Sequence, residues 1–245
     1  MSEARVALRD ELEGAGPLEV LRWTYARFHR PVIVASFQAE SSVLIDMACR
    51  VTQAPEVLTL DTGRLPEETH ETFDAFLARF PIRLRVQLPD AGEVGELTGR
   101  FGSNLFYRSS ELRRLCCEVR KSRPLAGALR EHDAWVTGLR RDQMETRRAT
   151  PVVQEDAAHG GIAKIAPLAA WSSEQVWDYI RERRLPYHPL YDRGYTSIGC
   201  APCTRAVRPG EDERAGRWWW EDDAVKECGL HWTPNGAVRA RGPAS

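Results

Sequence analysis

The chain has 245 residues, of which 42% are hydrophobic, so it can bury one good core, and its length favours one domain or at most two. Its 34 lysines and arginines nearly balance 35 aspartates and glutamates, giving a formal net charge of -1. No global field draws the protein toward nucleic acid or anionic lipid, so neither is expected as a partner, and any anion site must be local. The N-terminus has no apolar signal region and no stretch approaches the roughly 18 apolar residues of a membrane span, which predicts a soluble, cytoplasmic protein. The oligomeric state stays open, a homo-oligomer included.

Helical and strand patterns alternate along most of the chain. In chain order, the predicted elements are a helix over 17–30, a strand over 31–37, a loop over 36–42, a helix over 43–52, a strand over 57–61, a helix over 66–80, a strand over 82–87, helical stretches over 111–131, a strand over 134–140 and a helix over 172–183. Ser172 or Ser173 is the expected N-cap of the last helix. Strands that alternate with helices are joined by crossovers, so we predict an α/β fold with a doubly wound, mainly parallel sheet.

The pattern changes after about residue 186. The stretch that follows is rich in Pro, Gly, aromatic and charged residues with little periodicity, which is typical of an irregular functional segment. Three consecutive tryptophans, 218–220, cannot share one face of regular structure, and we interpret them as packing for this segment. Residues 232–245 offer little to bury and are expected to be a frayed tail.

Four of the six cysteines form two groups that are far apart in sequence, the pair Cys116-Cys117 and the Cys-x-x-Cys of Cys200 and Cys203. Cytosolic thiols stay reduced, so metal binding or thiol catalysis is favoured over disulfides. Four thiolates suit zinc or an iron-sulfur cluster, and unligated thiols are the third possibility. Adjacent cysteines fit poorly around one small tetrahedral ion, which favours the cluster. Cys49, on an apolar helix, is interpreted as a small buried hydrophobe.

Cys228 stands alone near the C-terminus. The neighbouring Lys226 and His231 would stabilise its thiolate and make it a better nucleophile, whereas Glu227 opposes this. An incidental surface thiol is the alternative. A reactive thiol here has no obvious resolving partner in the chain, so an external dithiol would have to complete any redox cycle.

Anion binding is predicted at the loop over 36–42, because a strand-to-helix turn offers backbone N–H groups and a helix N-terminus. A capping role for Ser41 or Ser42 is the alternative. Cations concentrate at Arg120-Lys121, Arg140-Arg141, Arg147-Arg148, Arg214 and Arg217. Scattered arginines are usually solvated, but Arg140 and Arg141 follow a predicted strand, and arginine forks suit phosphate or sulfate oxygens.

Over approximately residues 31–231, the chain resembles the assimilatory adenylylsulfate and phosphoadenylylsulfate reductases. The most specific matching segments are CCEVRKSRPL, WVTGLRRDQ, KIAPLAAWSSEQVWDYI, YTSIGCAPCTRAVRPGEDERAGRWWW and KECGLH. The resemblance implies an adenine nucleotide α-hydrolase-like (PP-loop) fold. It also implies one α/β nucleotide- and cluster-binding domain over 1–205, followed by a C-terminal segment, 206–245, that carries substrate arginines and the nucleophile.

The resemblance implies specific roles for residues of this sequence. A 4Fe-4S cluster would be bound by Cys116, Cys117, Cys200 and Cys203, with Lys121 between cluster and substrate. Catalysis would rest on Cys228 with His231 beside it. The phosphosulfate would be bound by Arg147, Arg214 and Arg217, with Arg148 as the alternative to Arg147. The adenosine would lie near Ser36, Gln38, Leu60, Thr62 and Gly138. Gln38 stands where Ser or Gly is common in the family.

The implied reaction is reduction of adenosine 5'-phosphosulfate to sulfite and AMP. The Cys228 thiolate would take up the sulfonate, and a thioredoxin or glutaredoxin would release it as sulfite. The four cluster cysteines favour this substrate over its 3'-phosphorylated analogue, which makes a phosphoadenylylsulfate reductase the runner-up. The loop over 36–42 lacks the SGGxDS pattern of ATP pyrophosphatases, which argues against an ATP-using, tRNA-thiolating enzyme. A zinc-stabilised binding module without catalysis is a third class.

Overall fold

The structure is a computed structural model, and it describes residues 12–221. The predictions made for Cys228, for His231 and for residues 232–245 therefore lie outside the described residues. No helix within the described part is long and apolar enough to cross a bilayer.

A six-stranded sheet organises the described residues. Its strands are β1 (Pro31–Val34), β2 (Glu56–Leu60), β3 (Arg83–Gln87), β4 (Ala134–Val136), β5 (Val153–Asp156) and β6 (Ile162–Ile165). The spatial order is β3-β2-β1-β4-β6-β5, and β5 alone runs antiparallel, at one edge. The order reverses between β1 and β4, so this is a doubly wound, mainly parallel sheet, as predicted. Ligands in such sheets bind beyond the carboxyl ends of the strands at the reversal.

The described helices are α1 (Pro17–Arg27), α2 (Ala39–Cys49), α3 (Glu67–Arg79), α4 (Ala91–Phe101), α5 (Ser110–Cys117), α6 (Arg123–Leu129) and α7 (Ser173–Arg183). Ser172 caps α7, because its hydroxyl accepts from the N–H of Gln175 and the Gln175 side chain accepts from the N–H of Ser172. Helix α1 ends three residues earlier than predicted, because Phe28 is already extended.

Helix α2 begins at Ala39, four residues before the predicted start, so the expected loop over 36–42 is wrong for its second half. Gln38 occupies the N-cap position, and its carbonyl accepts the N–H groups of Ser41 and Ser42. Neither serine caps the helix: the Ser41 hydroxyl instead accepts from the N–H of Ser36 at 3.2 Å. The serine-rich loop is thus a short turn over the helix N-terminus.

The cysteine pair lies where the helix geometry changes. Cys116 and Cys117 are the last two residues of α5, and a π-helical turn, Glu118–Ser122, joins α5 to α6. Such wider turns are rare and frequently mark functional sites. This turn carries Arg120 and Lys121 immediately after the pair.

Apolar residues cover both faces of the sheet and form a third group beside the cysteines. The larger face packs the sheet against α1, α2, α3 and α7, and the smaller face packs it against α6. The third group includes Phe106, Val119, Cys203 and Trp218. The irregular C-terminal segment is therefore joined to the α/β unit at the cysteines.

Candidate active site

A cavity of about 260 Å³ opens at the carboxyl ends of β1, β2 and β4. Its wall contains the second residue after the end of each of these strands, namely Ser36, Thr62 and Gly138. Segments of the irregular C-terminal part complete the wall. All eight residues predicted to bind the substrate line it, and so does Lys121: Ser36, Gln38, Leu60, Thr62, Gly138, Arg147, Arg214 and Arg217. The sheet topology thus brings together residues that are distant in sequence.

The turn after β1 is held by a buried aromatic residue. Phe37 has a positive φ of 53°, which is strained for a residue with a Cβ, and its ring packs on Phe73 and Phe76 at centroid distances of 4.5 and 5.3 Å. The amide of Gln38 donates to the Ser36 hydroxyl (2.9 Å) and accepts from the N–H of Ile198 (2.8 Å). Gln38 therefore joins this turn to the segment that leads into Cys200.

Gly138 is required for close contact between the turn after β4 and helix α2. A Cβ at this position would lie 2.7 Å from the Cβ of Glu40. The Glu40 carboxylate accepts from Nε of Arg140 (2.9 Å) and from the amide of Gln143 (2.8 Å). The glycine thus allows Glu40 to organise the residues that follow β4.

Gln143 also orients a predicted substrate arginine. Nη1 of Arg147 donates to the Gln143 amide oxygen at 2.5 Å, and the Arg147 side chain lines the cavity. Arg148 is 74% exposed, pairs with Glu145 and is not part of the cavity wall. Of the two candidates, the structure places Arg147 at the cavity.

Arg140 and Arg141, predicted as anion ligands from their position after β4, are engaged by carboxylates. Arg140 is 3% exposed and binds Glu40 and Asp142. Arg141 binds Glu13 and lies outside the cavity wall. Arg140 therefore contributes charge to the cavity wall. Arg141 instead forms an ion pair with Glu13, which lies just before α1.

The two C-terminal arginines reach the cavity from the irregular segment. Arg214 donates to the Ser197 hydroxyl at 3.2 Å, and Arg217 donates to the carbonyl of Ile198 at 3.3 Å. A Cβ on Gly199 would lie 2.4 Å from Nη2 of Arg217, so only glycine leaves room for this guanidinium. The segment is fixed by an antiparallel bridge between Thr204 and Arg217.

Positive charge predominates in the cavity wall. Lys121, Arg140, Arg147, Arg214 and Arg217 oppose two carboxylates, Glu40 and Glu213. Burial raises the pKa of Glu213 and Glu40 raises it further, although Arg140 lowers it, so this carboxyl resists ionisation. The excess of forked guanidinium donors suits a doubly charged phosphate- or sulfate-bearing ligand.

A second, smaller pocket of about 20 Å³ lies beside the cavity and is lined by all four predicted ligand cysteines. Its remaining wall consists of Arg64, Phe106, Arg113, Arg120, Lys121 and Pro202. Lys121 lines both the cavity and this pocket. The structure thus places this lysine between the four cysteines and the cavity.

Three of the four thiols, those of Cys116, Cys200 and Cys203, differ in their tendency to ionise. Burial raises the pKa of Cys116 and raises that of Cys203 to about 12. Burial also acts on Cys200, but Lys121, the Thr62 hydroxyl at 3.2 Å and Arg217 together hold its pKa below the ordinary value. Among these thiols, the thiolate form is therefore favoured most at Cys200, which lies next to residues of the cavity wall.

Sequence reasoning did not single out Gln143, Glu40 or Arg113 as site residues. Arg113 lies one helical turn before Cys117, and this spacing places both on one face of α5. That spacing was the available signal. Glu40 and Gln143 carried none, because their contact depends on how the turns after β1 and β4 approach each other.

A doubly wound sheet with a cation-lined cavity at its reversal and a four-cysteine pocket alongside defines an α/β protein of the PP-loop fold class. Residues 30–206 match the phosphoadenosine phosphosulfate reductase domain, and the chain belongs to this family.

Similar proteins support this placement. The chain is 45% identical over 217 residues to an adenosine 5'-phosphosulfate reductase of Allochromatium vinosum, covering 89% of this chain and 84% of that protein. It is 46% identical over 203 residues to one of Agrobacterium fabrum, covering 82% and 77%. A chloroplastic 5'-adenylylsulfate reductase of rice, probable by name, is 44% identical over 92% of this chain, which spans about half the length of that relative.

Solved structures agree at the level of the fold. The structure of a phosphoadenylyl-sulfate reductase from Candida auris, in a phosphate complex, aligns with a TM-score of 0.72 and 28% identity, covering 84% of this chain and 98% of that one. Yeast FAD synthetase in complex with FAD aligns at a TM-score of 0.56 and 14% identity, over 84% of this chain and 70% of that one, and shares the fold alone.

Proposed function

We propose that this chain is an adenosine 5'-phosphosulfate reductase of sulfate assimilation, converting its substrate to sulfite and AMP. The observation that carries the proposal is Lys121, a cation in the wall shared by the anion cavity and the four-cysteine pocket. The bacterial relatives at 45% and 46% identity carry the name of this activity.

The substrate is proposed to lie along the length of the cavity. Its adenosine contacts the turns after β1, β2 and β4, at Ser36, Gln38, Leu60, Thr62 and Gly138. Its phosphosulfate lies among Arg147, Arg214 and Arg217, whose guanidiniums neutralise the charge that collects on the bridging oxygen as AMP departs. Lys121 adds a fourth cation from the cysteine side.

The four-cysteine pocket is proposed to hold a 4Fe-4S cluster through Cys116, Cys117, Cys200 and Cys203. Its composition fits: soft thiolates are the preferred ligands, and Arg64, Arg113, Arg120 and Lys121 offset their negative charge. Although these four cysteines line one pocket, no three His, Cys, Asp or Glu side chains within residues 12–221 are arranged to hold a metal ion. When bound, the cluster supplies structural order and electrostatic tuning next to Lys121.

Cys228 is proposed as the nucleophile, with His231 beside it. Its thiolate attacks the sulfonate sulfur, the bond from that sulfur to the bridging oxygen breaks, and AMP leaves with the electron pair. The product is S-sulfocysteine. A thiolate of thioredoxin or glutaredoxin then attacks the Cys228 sulfur and expels sulfite, and the second thiol of the partner resolves the mixed disulfide. The partner's dithiol thus supplies both electrons. We place this chemistry in the cytoplasm.

A phosphoadenylylsulfate reductase is the second candidate, because the family and the Candida auris structure carry that name. The relatives named as adenosine 5'-phosphosulfate reductases are more similar to this chain, which favours the substrate without the 3'-phosphate. We also propose that the chain consists of one α/β nucleotide- and cluster-binding domain over residues 1–205 and a C-terminal segment over 206–245 that carries substrate arginines and the nucleophile.

The test is mass spectrometry of the intact, iron-loaded protein mixed with either nucleotide and no reductant. We expect a sulfonate adduct on the peptide that contains Cys228, formed faster with adenosine 5'-phosphosulfate than with its 3'-phosphorylated analogue. Cys228→Ser should abolish both the adduct and sulfite release, because no thiolate is left to attack. Cys49→Ser is the matched control and should keep both.

The reaction assignment fails if Cys228→Ser still releases sulfite at the wild-type rate with added thioredoxin. Faster adduct formation with the 3'-phosphorylated nucleotide would instead select the second candidate. Retained iron and AMP binding in Cys228→Ser would show that only the chemical step was removed.

A further inference from the structure

Arg113 joins the four-cysteine pocket to the last described residue of the chain. It lines that pocket from α5, and its guanidinium donates two parallel hydrogen bonds to the Glu221 carboxylate, both at 2.9 Å. The two side chains are only 5% and 11% exposed. A bidentate pair shielded from water has a fixed geometry, so Glu221 is held at one place relative to α5.

Trp218 connects this ion pair with the cavity. Its ring lies 4.4 Å from the guanidinium carbon of Arg113 and 4.8 Å from that of Arg217, at cation–π distance from both. Trp218 is 1% exposed and has a positive φ of 43°, a strained conformation that the surrounding contacts maintain. Its N–H donates to the carbonyl of Cys203, and its own carbonyl accepts from the N–H of Glu221.

The position of Glu221 limits where the proposed nucleophile can act. Cys228 is the seventh residue after Glu221 in the sequence. Seven residues span at most about 25 Å even when fully extended. The position of Glu221 therefore sets, by chain length alone, an upper limit on how far Cys228 can lie from helix α5 and from the cavity.

We propose that the Arg113–Glu221 pair is a positioning device for the nucleophile. It fixes the point at which the Cys228 segment starts and, through Trp218, holds Arg217 in the cavity wall. Neither partner lines the substrate cavity, so both act through other residues. Because α5 carries Arg113 and the Cys116-Cys117 pair, order in the cysteine pocket is transmitted to the start of the catalytic segment. This inference rests on the proposed function.

The test compares Glu221→Ala, Glu221→Gln and Glu221→Asp in the full-length, iron-loaded protein. The measured quantity is the single-turnover rate of the sulfonate adduct on Cys228 at saturating adenosine 5'-phosphosulfate. We expect this rate to fall roughly ten- to hundredfold in the Ala and Gln variants, because small misplacements of reacting groups cost this much. Iron content should stay unchanged, AMP should still bind but more weakly to the extent that Arg217 is displaced from the cavity wall, and Glu221→Asp should recover part of the rate.

Glu211→Ala is the matched control. Glu211 forms a bidentate pair with Arg205 in the same segment, at 2.8 and 3.0 Å, but lines neither pocket. It should form the adduct at the wild-type rate. A wild-type rate in Glu221→Gln and Glu221→Ala would overturn the positioning role, and so would a loss of rate that merely follows a loss of iron across the variants. Absence of the adduct in the wild-type protein would instead refute the proposed function itself.

Discussion

His188 is a buried histidine that the fold keeps neutral. It is 0% exposed, its Nε2 lies 2.9 Å from the hydroxyl of Thr69, and its Nδ1 accepts from the N–H of Leu190. Burial lowers its pKa to about 4, and only Glu68 acts in the opposite direction. Thr69 lines the substrate cavity, so the histidine supports one wall of the site from behind.

This lowered pKa predicts a pH-dependent stability. Between pH 6.5 and 4, His188 binds a proton in the unfolded chain but not in the folded chain, so the free energy of unfolding decreases as pH falls. The contribution of this group is at most about 3 kcal/mol. Urea unfolding between pH 4.5 and 8 should show that His188→Asn, which cannot titrate, loses less stability over this range than the wild type. Equal slopes in the two proteins would contradict the assignment.

Gly138 is predicted to be intolerant of even a methyl group. The added Cβ would overlap the Cβ of Glu40 at 2.7 Å and force α2 away from the turn after β4. Gly138→Ala should destabilise the protein by about 1–3 kcal/mol and weaken AMP binding, measured by calorimetry, because Glu40 then loses Arg140 and Gln143.

The matched control for this substitution is Gly127→Ala. Gly127 lies in α6 with nothing within 4 Å of an added Cβ. It should stabilise the protein by about 0.5–1 kcal/mol through helix propensity and leave AMP affinity unchanged. Similar losses in both variants would mean that Gly138 has no special contact with Glu40.

At the scale of elements, the sequence pattern located four of the six strands of the sheet. Helix α3 has a clear helical period and lies within one residue of its predicted bounds. Strands β1 and β4 begin where predicted, but they end three and four residues earlier, at Val34 and Val136. The last two strands in the sequence, β5 and β6, were not predicted. Four residues each, with Gln, Glu, Asp and Lys among them, they lack a clear apolar alternation, and their pairing depends on β4 being in place.

Local signals also misplaced the start of helix α2. The run of polar residues over 36–42 resembles a loop. The helix begins immediately after Gln38, whose side chain is held by a local bond to Ser36 and by a long-range bond from the N–H of Ile198. Helix α4 was missed for a related reason. Its three glycines, at positions 92, 95 and 99, weaken the helical pattern, although Asp90 provides a regular N-cap by accepting from the N–H of Glu93.

At the scale of the whole molecule, the candidate site combines segments that no local pattern could bring together. Resemblance to a family predicted eight substrate-binding residues, and the structure places all eight in the wall of one cavity. Two contacts came only from the coordinates, because each joins residues more than a hundred positions apart: Gln143 contacts Glu40, and Arg113 contacts Glu221. Long-range contacts of this kind leave no periodic trace in a sequence.

The distribution of the site along the chain predicts that binding and chemistry can be separated. Every described residue that lines the cavity lies between positions 34 and 217, and the described core runs from Leu12 to Trp218. A chain that ends after Asp223 retains these residues and the Arg113–Glu221 pair, but it lacks Cys228. It should therefore unfold cooperatively, bind AMP with the affinity of the full-length protein, and release no sulfite. Calorimetric titration with AMP and a sulfite assay measure the two properties, with full-length Cys228→Ser as the control that should behave in the same way. If the shortened chain fails to bind AMP while full-length Cys228→Ser binds it, residues 224–245 contribute to the cavity itself, and the separation of binding from chemistry is wrong.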